Sequence, residues 1–188
     1  MQQQEEQELI RRILNGETDL YAIFAECYGR VVYTLVSRIV GCPEDAEELT
    51  QDVFLKAFRS LHRFDARSAF PTWLFRIAYN TAVSQTRRRK HEWACIDEKR
   101  LASLPDSYAD RLDGWEQKQE HIDALTRAVE RLEPEERALV SLFYYEERSV
   151  GECAQITGLT ESNVKVRLHR IRKKLYILAN TQLHGHKT

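Results

Sequence analysis

The sequence predicts an all-α protein made of two small helical domains joined by a linker. The 188 residues include only 7 Gly and 4 Pro, so helix-forming residues dominate. Apolar residues recur at spacings of three and four in two separate stretches of the chain. Between them, residues 91–118 have weak periodicity and contain the helix breakers Pro105 and Gly114. We therefore expect an N-terminal domain at residues 5–90, an acidic linker at 91–118, and a C-terminal domain containing a helix-turn-helix at 119–180.

Four helices are predicted in the first domain, separated by breakers and loops. Asn15 and Gly16 end the first helix, Gly41 and Pro43 divide the second from the third, and residues 65–71 form a loop. Pro71 is tolerated in a first helical turn, so the fourth helix should run from about residue 72 to about 89. The apolar stripes are Leu9, Ile10, Ile13 and Leu14; Leu20, Ile23, Phe24, Cys27, Val31, Leu35 and Ile39; Ala46, Leu49, Val53, Ala57 and Leu61; and Leu74, Ile77, Ala78 and Thr81.

The second domain should begin near Gln119. Its first helix is expected to face the core through Ile122, Leu125, Val129 and Leu132. Pro134 starts the next helix, with Ala138, Leu139, Leu142 and Phe143 facing inward. Trp93 and Trp115 are unusual in a free linker, so we expect part of the linker to dock on a domain.

A helix-turn-helix is predicted after residue 148. Ser149 and Glu152 form a capping-box pattern, in which each side chain can satisfy a backbone amide of the other residue. Gly158 provides the backbone freedom of a tight turn, and Thr160 can cap the following helix. Ala154 is small enough for two helices to cross closely. This pattern is typical of a motif whose second helix enters the DNA major groove.

The second helix of this motif is strongly basic. Val164, Leu168, Ile171 and Leu175 form its apolar stripe, and residues 161–175 hold six cations and one acid, a formal charge of +5 against −1 for the whole chain. A helix with one face in the core and a cationic opposite face suits binding to nucleic acid. The alternative is an ordinary helical hairpin with a solvated basic face.

Other functional classes find little support in the composition. The N-terminus is polar and acidic, and no apolar run approaches membrane-spanning length, so we expect a cytoplasmic protein without membrane insertion. Cys27, Cys42, Cys95 and Cys153 fit neither a paired zinc site nor a compact disulfide framework, and are expected to be buried or partly buried free thiols. No metal, cofactor or catalytic site is predicted, so the chain is not expected to be an enzyme.

Three stretches of sequence, in order, resemble the extracytoplasmic-function (ECF) sigma factors, small two-domain initiation factors of bacterial transcription. They are residues 45–58 (DAEELTQDVFLKAF), residues 68–82 (SAFPTWLFRIAYNTA) and the helix-turn-helix. The resemblance covers about residues 5–90 and 119–178 of the chain. It implies that this protein binds core RNA polymerase and promoter DNA.

The first stretch corresponds to the sigma-factor motif that grips a coiled coil of the polymerase clamp. The resemblance assigns this role to Glu48, Gln51 and Asp52, which an i, i+3, i+4 spacing places on one side of the third helix. Five acids and no base lie between residues 44 and 52. The alternative is a solvated acidic face near a helix N-terminus.

The second stretch corresponds to the segment that opens the −10 element and holds a flipped base. Unstacked bases need aromatic surfaces, cations and an amide for edge hydrogen bonds. The resemblance assigns these roles to Arg67, Phe70, Trp73, Arg76 and Asn80, and assigns phosphate contacts to Arg87, Arg88, Arg89 and Lys90. Phe75 and Tyr79 add aromatic surface, but not all four aromatic residues can face DNA, and Phe70 and Trp73 can equally be core residues.

In the third stretch, the resemblance places the −35 bases against Lys165, Val166 and His169. Lys165 can donate to guanine edges, and Val166 can contact a thymine methyl group. Arg167, Arg170 and Lys173 complete the predicted −35 surface, with Arg167 and Arg170 as phosphate contacts.

The family implies three partners: core RNA polymerase, promoter DNA and an anti-sigma factor, with the chain a monomer when bound to polymerase. A competing hypothesis is a helix-turn-helix regulator that dimerises through its N-terminal helices and binds palindromic operators.

Overall fold

The computed structural model describes residues 2–88, 101, 104–110 and 119–184, and all regular structure in these ranges is helical. This confirms the predicted all-α class. The helices are α1 (Gln3–Leu14), α2 (Ala22–Val40), α3 (Pro43–Ser60), α4 (Phe70–Arg88), α5 (Ser107–Asp110), α6 (Gln119–Glu130), α7 (Pro134–Val140), α8 (Val150–Thr157) and α9 (Glu161–His184). Single 3-10 turns at Thr18–Tyr21 and Leu61–Arg63 precede α2 and follow α3.

Helices α2, α3 and α4 pack against one another to form the N-terminal unit. Phe24, Leu35 and Ile39 of α2 are completely buried, as are Val53 of α3 and Leu74 of α4. Burial of each such side chain contributes about 1.5–3 kcal/mol, so this three-helix contact contributes strongly to the stability of the unit.

The helix boundaries of this unit follow from the predicted breakers. Gly41 caps the C-terminus of α2 with φ of 73°, a left-handed conformation that favours glycine. Pro43 is the first residue of α3, where its missing amide hydrogen would have had no helical partner. Asn15 caps α1, and its amide donates to the carbonyl groups of the last turn.

The inward face of α6 differs from the predicted one. Ile122 is 43% exposed, whereas Ala124 and Ala128 are completely buried. Leu125 and Val129 are only partly buried, and Leu132 is buried as expected. The reason is that α6 lies along the long helix α9, and two alanines allow the helices to approach closely. The predicted stripe was drawn through the larger apolar side chains, so it was rotated around the helix axis relative to the face that is buried.

The two halves of the chain pack on each other. Helix α2 contacts α7, and α4 contacts both α7 and α8, so the buried residues form one continuous hydrophobic core. The interface is also polar: Arg38 of α2 lies 3.8 Å from the ring centre of Tyr145 and 3.3 Å from the Ser141 hydroxyl. The apolar stripes define an inward face for each helix but do not specify the helix that covers it.

The cysteine prediction is wrong at one position. Cys27 is exposed on α2, while Cys42 is half-buried and Cys153 is buried, all three as free thiols. The stripe drawn through Cys27 fails because the inward face of α2 continues through Phe24 and Tyr28 instead. Cys95 lies outside the described residues. Among the residues that are described, no helix is both long and apolar enough to cross a lipid bilayer.

Candidate nucleic-acid interface

The helix-turn-helix is formed by α8 and α9, and each predicted cap is present. The Ser149 hydroxyl accepts from the Glu152 amide at 3.2 Å, and a Glu152 carboxylate oxygen accepts from the Ser149 amide at 3.0 Å. Gly158 ends α8 with φ of 75°. The Thr160 hydroxyl then accepts from the Asn163 amide at 3.2 Å at the start of α9. These local bonds fix the crossing of the two helices.

Part of the basic side of helix α9 faces solvent, as the sequence predicts, whereas Lys173 and Lys174 are buried. Val164, Leu168, Ile171 and Leu175 are all buried. Lys165, Val166, Arg167 and Arg170 are exposed. Val166 is 54% exposed, an apolar side chain held in solvent among cations. This surface therefore offers hydrogen-bond donors, positive charge and one small apolar contact, which are the chemical features that reading a major groove requires.

Lys173 and His169 do not share the open exposure of that surface. The ammonium group of Lys173 donates to the Leu104 carbonyl at 2.8 Å and lies 2.7 Å from an Asp106 carboxylate oxygen. Nε2 of His169 is 2.9 Å from the same oxygen. The Lys173 side chain is only 8% exposed, so this predicted DNA contact lies beneath the linker in the present arrangement. The hydrogen bond from Lys173, and then that from His169, lower the pKa of Asp106.

Phe70 is a core residue, which was one of the two roles that the sequence left open, the other being a DNA contact. It is buried, and its ring stacks on Phe24 with centroids 4.1 Å apart. Trp73 is partly buried, and its ring centroid lies 5.7 Å from that of Phe70 and 5.5 Å from that of Phe64. These rings form a cluster at the start of α4. Phe70 has no free face for a base, whereas Trp73 lies at the border of the cluster and is only partly buried.

The solvent face of α4 is polar and lies next to this cluster. Arg76 and Asn80 are exposed one helical turn apart, and Arg67 is exposed in the preceding loop beside Asp65. A guanidinium group and an amide at this spacing can contact a phosphate and a base edge together. Arg87 is also exposed but lies 3.1 Å from Glu135. The side chain of Arg88, together with Arg89 and Lys90, lies outside the described residues.

Phe75 and Tyr79 point toward the C-terminal half of the chain. The guanidinium group of Arg148 lies 4.9 Å from the centre of the Phe75 ring. Burial, followed by the charge of Glu135, raises the pKa of Tyr79. Sequence reasoning missed Arg38, Arg148 and Glu135 as interface residues. In the sequence they are ordinary surface charges, so no pattern marked them.

The acidic face of α3 is exposed and borders an open apolar groove. Glu48, Gln51 and Asp52 all face solvent. Gln51 also lines the groove, which has a volume of about 980 Å³ and lies between the start of α2 and α3. Its apolar walls include Tyr21, Phe54, Leu55 and Phe58, and Leu55 is 52% exposed. A partner with cationic and apolar residues side by side would complement this surface.

Two family models match the two halves of the chain. Sigma-70 region 2 matches residues 24–92, and Sigma-70 region 4 matches residues 122–175. The ECF RNA polymerase sigma factor RpoE of Cereibacter sphaeroides is 32% identical over 135 residues, which span 69% of this chain and 72% of the relative. This chain belongs to the ECF sigma factors.

Further similarities agree with that assignment. The ECF sigma factor SigW of Bacillus subtilis is 27% identical, over 88% of this sigma factor and 92% of SigW. Among solved structures, CnrH in complex with the cytosolic domain of CnrY has a TM-score of 0.62 at 24% identity, covering 96% of this chain and 97% of CnrH. RpoE of Bartonella quintana with the anti-sigma factor NepR has a TM-score of 0.59 at 22% identity, covering 85% and 96%. Both structural similarities concern the fold.

ECF sigma factors direct core RNA polymerase to promoters, so promoter-directed initiation is the function of this sigma factor. Family membership favours this role over that of a self-contained, dimeric helix-turn-helix regulator. Core RNA polymerase and promoter DNA are therefore its partners.

Proposed function

We propose that this ECF sigma factor uses three separate surfaces for initiation. In this proposal residues 5–90 bind core polymerase and the −10 element, residues 119–180 bind the −35 element, and residues 91–118 connect them. One observation carries the proposal. A cationic helix-turn-helix face and an acidic α3 face are both exposed, on opposite halves of one chain.

The −35 element is read as duplex by the exposed side of α9. Lys165, Val166 and His169 face base edges, while Arg167, Arg170 and Lys173 hold phosphates. The support is the solvent exposure of Lys165, Val166, Arg167 and Arg170 opposite a fully buried stripe.

The −10 element is captured as melted single strand at the start of α4. Asn80 contacts the edge of a flipped base, Arg67 and Arg76 hold the backbone, and Trp73, which is only partly buried, offers aromatic surface for stacking. Phe70 packs against Trp73, with the two ring centroids 5.7 Å apart. Arg87, Arg88, Arg89 and Lys90 follow the phosphates beyond this site.

Core polymerase binds the α3 face. Glu48, Gln51 and Asp52 supply charge and an amide, and the adjoining groove accepts an apolar side chain of the partner. The protein performs no chemistry of its own, acts in the cytoplasm and is a monomer within the polymerase complex. An anti-sigma factor is a further partner, by analogy with the complex of Bartonella RpoE with the anti-sigma factor NepR.

Size-exclusion chromatography with core polymerase tests the α3 assignment. The double variant Glu48→Lys, Asp52→Lys should no longer co-elute with core enzyme, because it reverses two charges on the docking face while leaving the core of α3 intact. Circular dichroism should show unchanged helix content.

A matched control places the same charge change elsewhere. Glu120→Lys with Asp123→Lys alters two exposed acids of α6 and should bind core enzyme like the wild type. Core binding by the α3 double variant at the wild-type level would refute the polymerase assignment. A free chain that dimerises on symmetric DNA sites and ignores core enzyme would instead favour the regulator hypothesis.

A further inference from the structure

The described part of the linker lies on the DNA-reading side of the recognition helix. Segment 104–110, which includes α5, packs along α9, and Tyr108 meets Tyr176 edge to face with ring centroids 5.0 Å apart. The segment leaves a hollow of about 450 Å³ between itself and α9. Five residues of the proposed −35 surface line this hollow: Lys165, Val166, His169, Arg170 and Lys173.

Asp106 places a carboxylate against two side chains of the proposed −35 surface. One oxygen of Asp106 lies 2.7 Å from the Lys173 ammonium group and 2.9 Å from Nε2 of His169. The Asp106 side chain remains 83% exposed, so the surrounding protein does not bury it and its position is defined by these two partners. An anionic oxygen that contacts two side chains of a recognition helix reproduces the geometry of a phosphate contact.

We propose that segment 104–110 is an intramolecular competitor of −35 DNA, in which Asp106 acts as a phosphate mimic. The inference rests on the proposed −35 function of α9. The two occupants exclude each other because Lys173 already donates to the Leu104 carbonyl and to Asp106, and its side chain is 8% exposed. DNA can therefore engage Lys173 and His169 only after the segment has left α9. The free sigma factor thus binds promoter DNA less tightly than its exposed cations alone would allow.

The competition has a moderate expected strength. Ion pairs with an exposed partner are weak because solvent and salt screen them. Removing Asp106 should therefore raise the DNA affinity of the free chain about two- to fivefold. It should also steepen the salt dependence, by up to about one unit, because in the wild type salt weakens the competing Asp106–Lys173 ion pair as well and so offsets part of the loss of DNA affinity.

Fluorescence anisotropy with the full-length chain tests this proposal. The probe is a labelled duplex carrying the −35 sequence of a transcription start mapped after overexpression of the protein. Asp106→Ala is compared with Glu120→Ala, which removes the same charge from an exposed position on α6. Asp106→Ala should bind more tightly and with a steeper salt slope, and Glu120→Ala should retain the wild-type slope. Equal behaviour of the two variants would overturn the proposal.

A third variant separates failure of the inference from failure of the proposed function. Lys165→Ala should weaken binding to the same probe. If it does so while Asp106→Ala has no effect, α9 reads the −35 element but the linker does not compete. If Lys165→Ala has no effect, the −35 surface itself is wrong, and the competition falls with it.

Hydrogen exchange gives a readout independent of affinity. The amide of Tyr108 donates to the Pro105 carbonyl at 3.1 Å within the docked segment. Adding the duplex should speed amide exchange in residues 104–110, because the segment leaves α9 when DNA binds. Unchanged exchange at saturating DNA would show that the segment and DNA occupy α9 together, and would overturn the proposal.

Discussion

Single side chains of α9 should contribute differently to promoter recognition. Lys165 can donate to a base edge, so Lys165→Ala should reduce transcription only at promoters that carry its preferred base. At those promoters it should weaken DNA binding by about 1–3 kcal/mol. Arg170 is proposed to hold a phosphate, so Arg170→Ala should weaken all promoters alike and lower the salt slope by about one unit. Run-off transcription and binding on a panel of −35 variants measures both effects. Identical profiles for the two variants would contradict the division between base and phosphate contacts.

The cysteines should differ strongly in reactivity. Burial raises the pKa of Cys153 to about 11, and its thiol donates to the Arg148 carbonyl at 3.8 Å. A rise of about two pKa units leaves about a hundredfold less thiolate at a given pH, and burial also blocks access. Cys27 is exposed. Alkylation followed by mass spectrometry should therefore label Cys27 rapidly and Cys153 slowly, with the difference lost in denaturant. Comparable native rates would mean that α8 opens far more readily than its packing indicates.

At the scale of whole elements, the sequence predicted more about where helices begin and end than about the partners of their faces. Caps and breakers such as Ser149, Gly158 and Gly41 act within one or two turns, so local sequence determines them. The face of α6 was rotated because Ala124 and Ala128 face inward, where close helix approach matters more than side-chain size. Burial of Phe70 likewise depends on Phe24, a residue 46 positions earlier in the sequence, so periodicity within α4 left both of its roles open.

Two glycines that end helices provide a test of how the elements are joined. Gly158 and Gly41 both have left-handed φ angles, 75° and 73°. Alanine at such an angle costs about 1–2 kcal/mol. A Cβ on Gly158 would meet nothing within 4 Å, so Gly158→Ala should destabilise by this backbone effect alone. A Cβ on Gly41 would lie 3.2 Å from Nη1 of Arg137, which is buried between the two halves.

In urea unfolding we therefore expect the wild type to be the most stable, Gly158→Ala to be less stable and Gly41→Ala to be the least stable. The additional loss at Gly41 measures how tightly Arg137 is held at the contact of α2 with α7. Equal losses for the two variants would indicate that Arg137 moves aside freely and that the contact is loose. Ser149→Ala is a useful reference, because loss of an N-cap costs about 1 kcal/mol without touching the interface.

For the molecule as a whole, the packing of its two halves places part of the proposed −10 helix inside an interface. Phe75 and Tyr79 of α4 face Arg148 and Glu135 of the C-terminal half, and Arg87 is paired with Glu135. The −10 and −35 elements of a promoter are separate stretches of DNA, and the C-terminal half covers part of the proposed −10 helix, so we expect the halves to separate when both elements are bound. Much of the contact is charged, and charged contacts weaken as salt or an opposing charge screens them.

Arg38 offers the sharpest test of that separation, because it contacts the other half in three ways. Its guanidinium group lies 3.8 Å from the centre of the Tyr145 ring, 3.3 Å from the Ser141 hydroxyl and 3.8 Å from a Glu146 carboxylate oxygen. Arg38→Glu removes the cation–π contact and places two carboxylates side by side. Small-angle X-ray scattering should then show a larger radius of gyration, and protease should cut the linker faster.

The matched control is Arg30→Glu, which makes the same charge change at an exposed position two turns earlier on α2. It should leave the scattering curve unchanged. If Arg38→Glu opens the molecule, the free variant should also bind single-stranded −10 DNA more tightly than the wild type, since Phe75 and Tyr79 become accessible. Opening without any gain in −10 binding would show that these two aromatic residues serve only the interface and take no part in the −10 site.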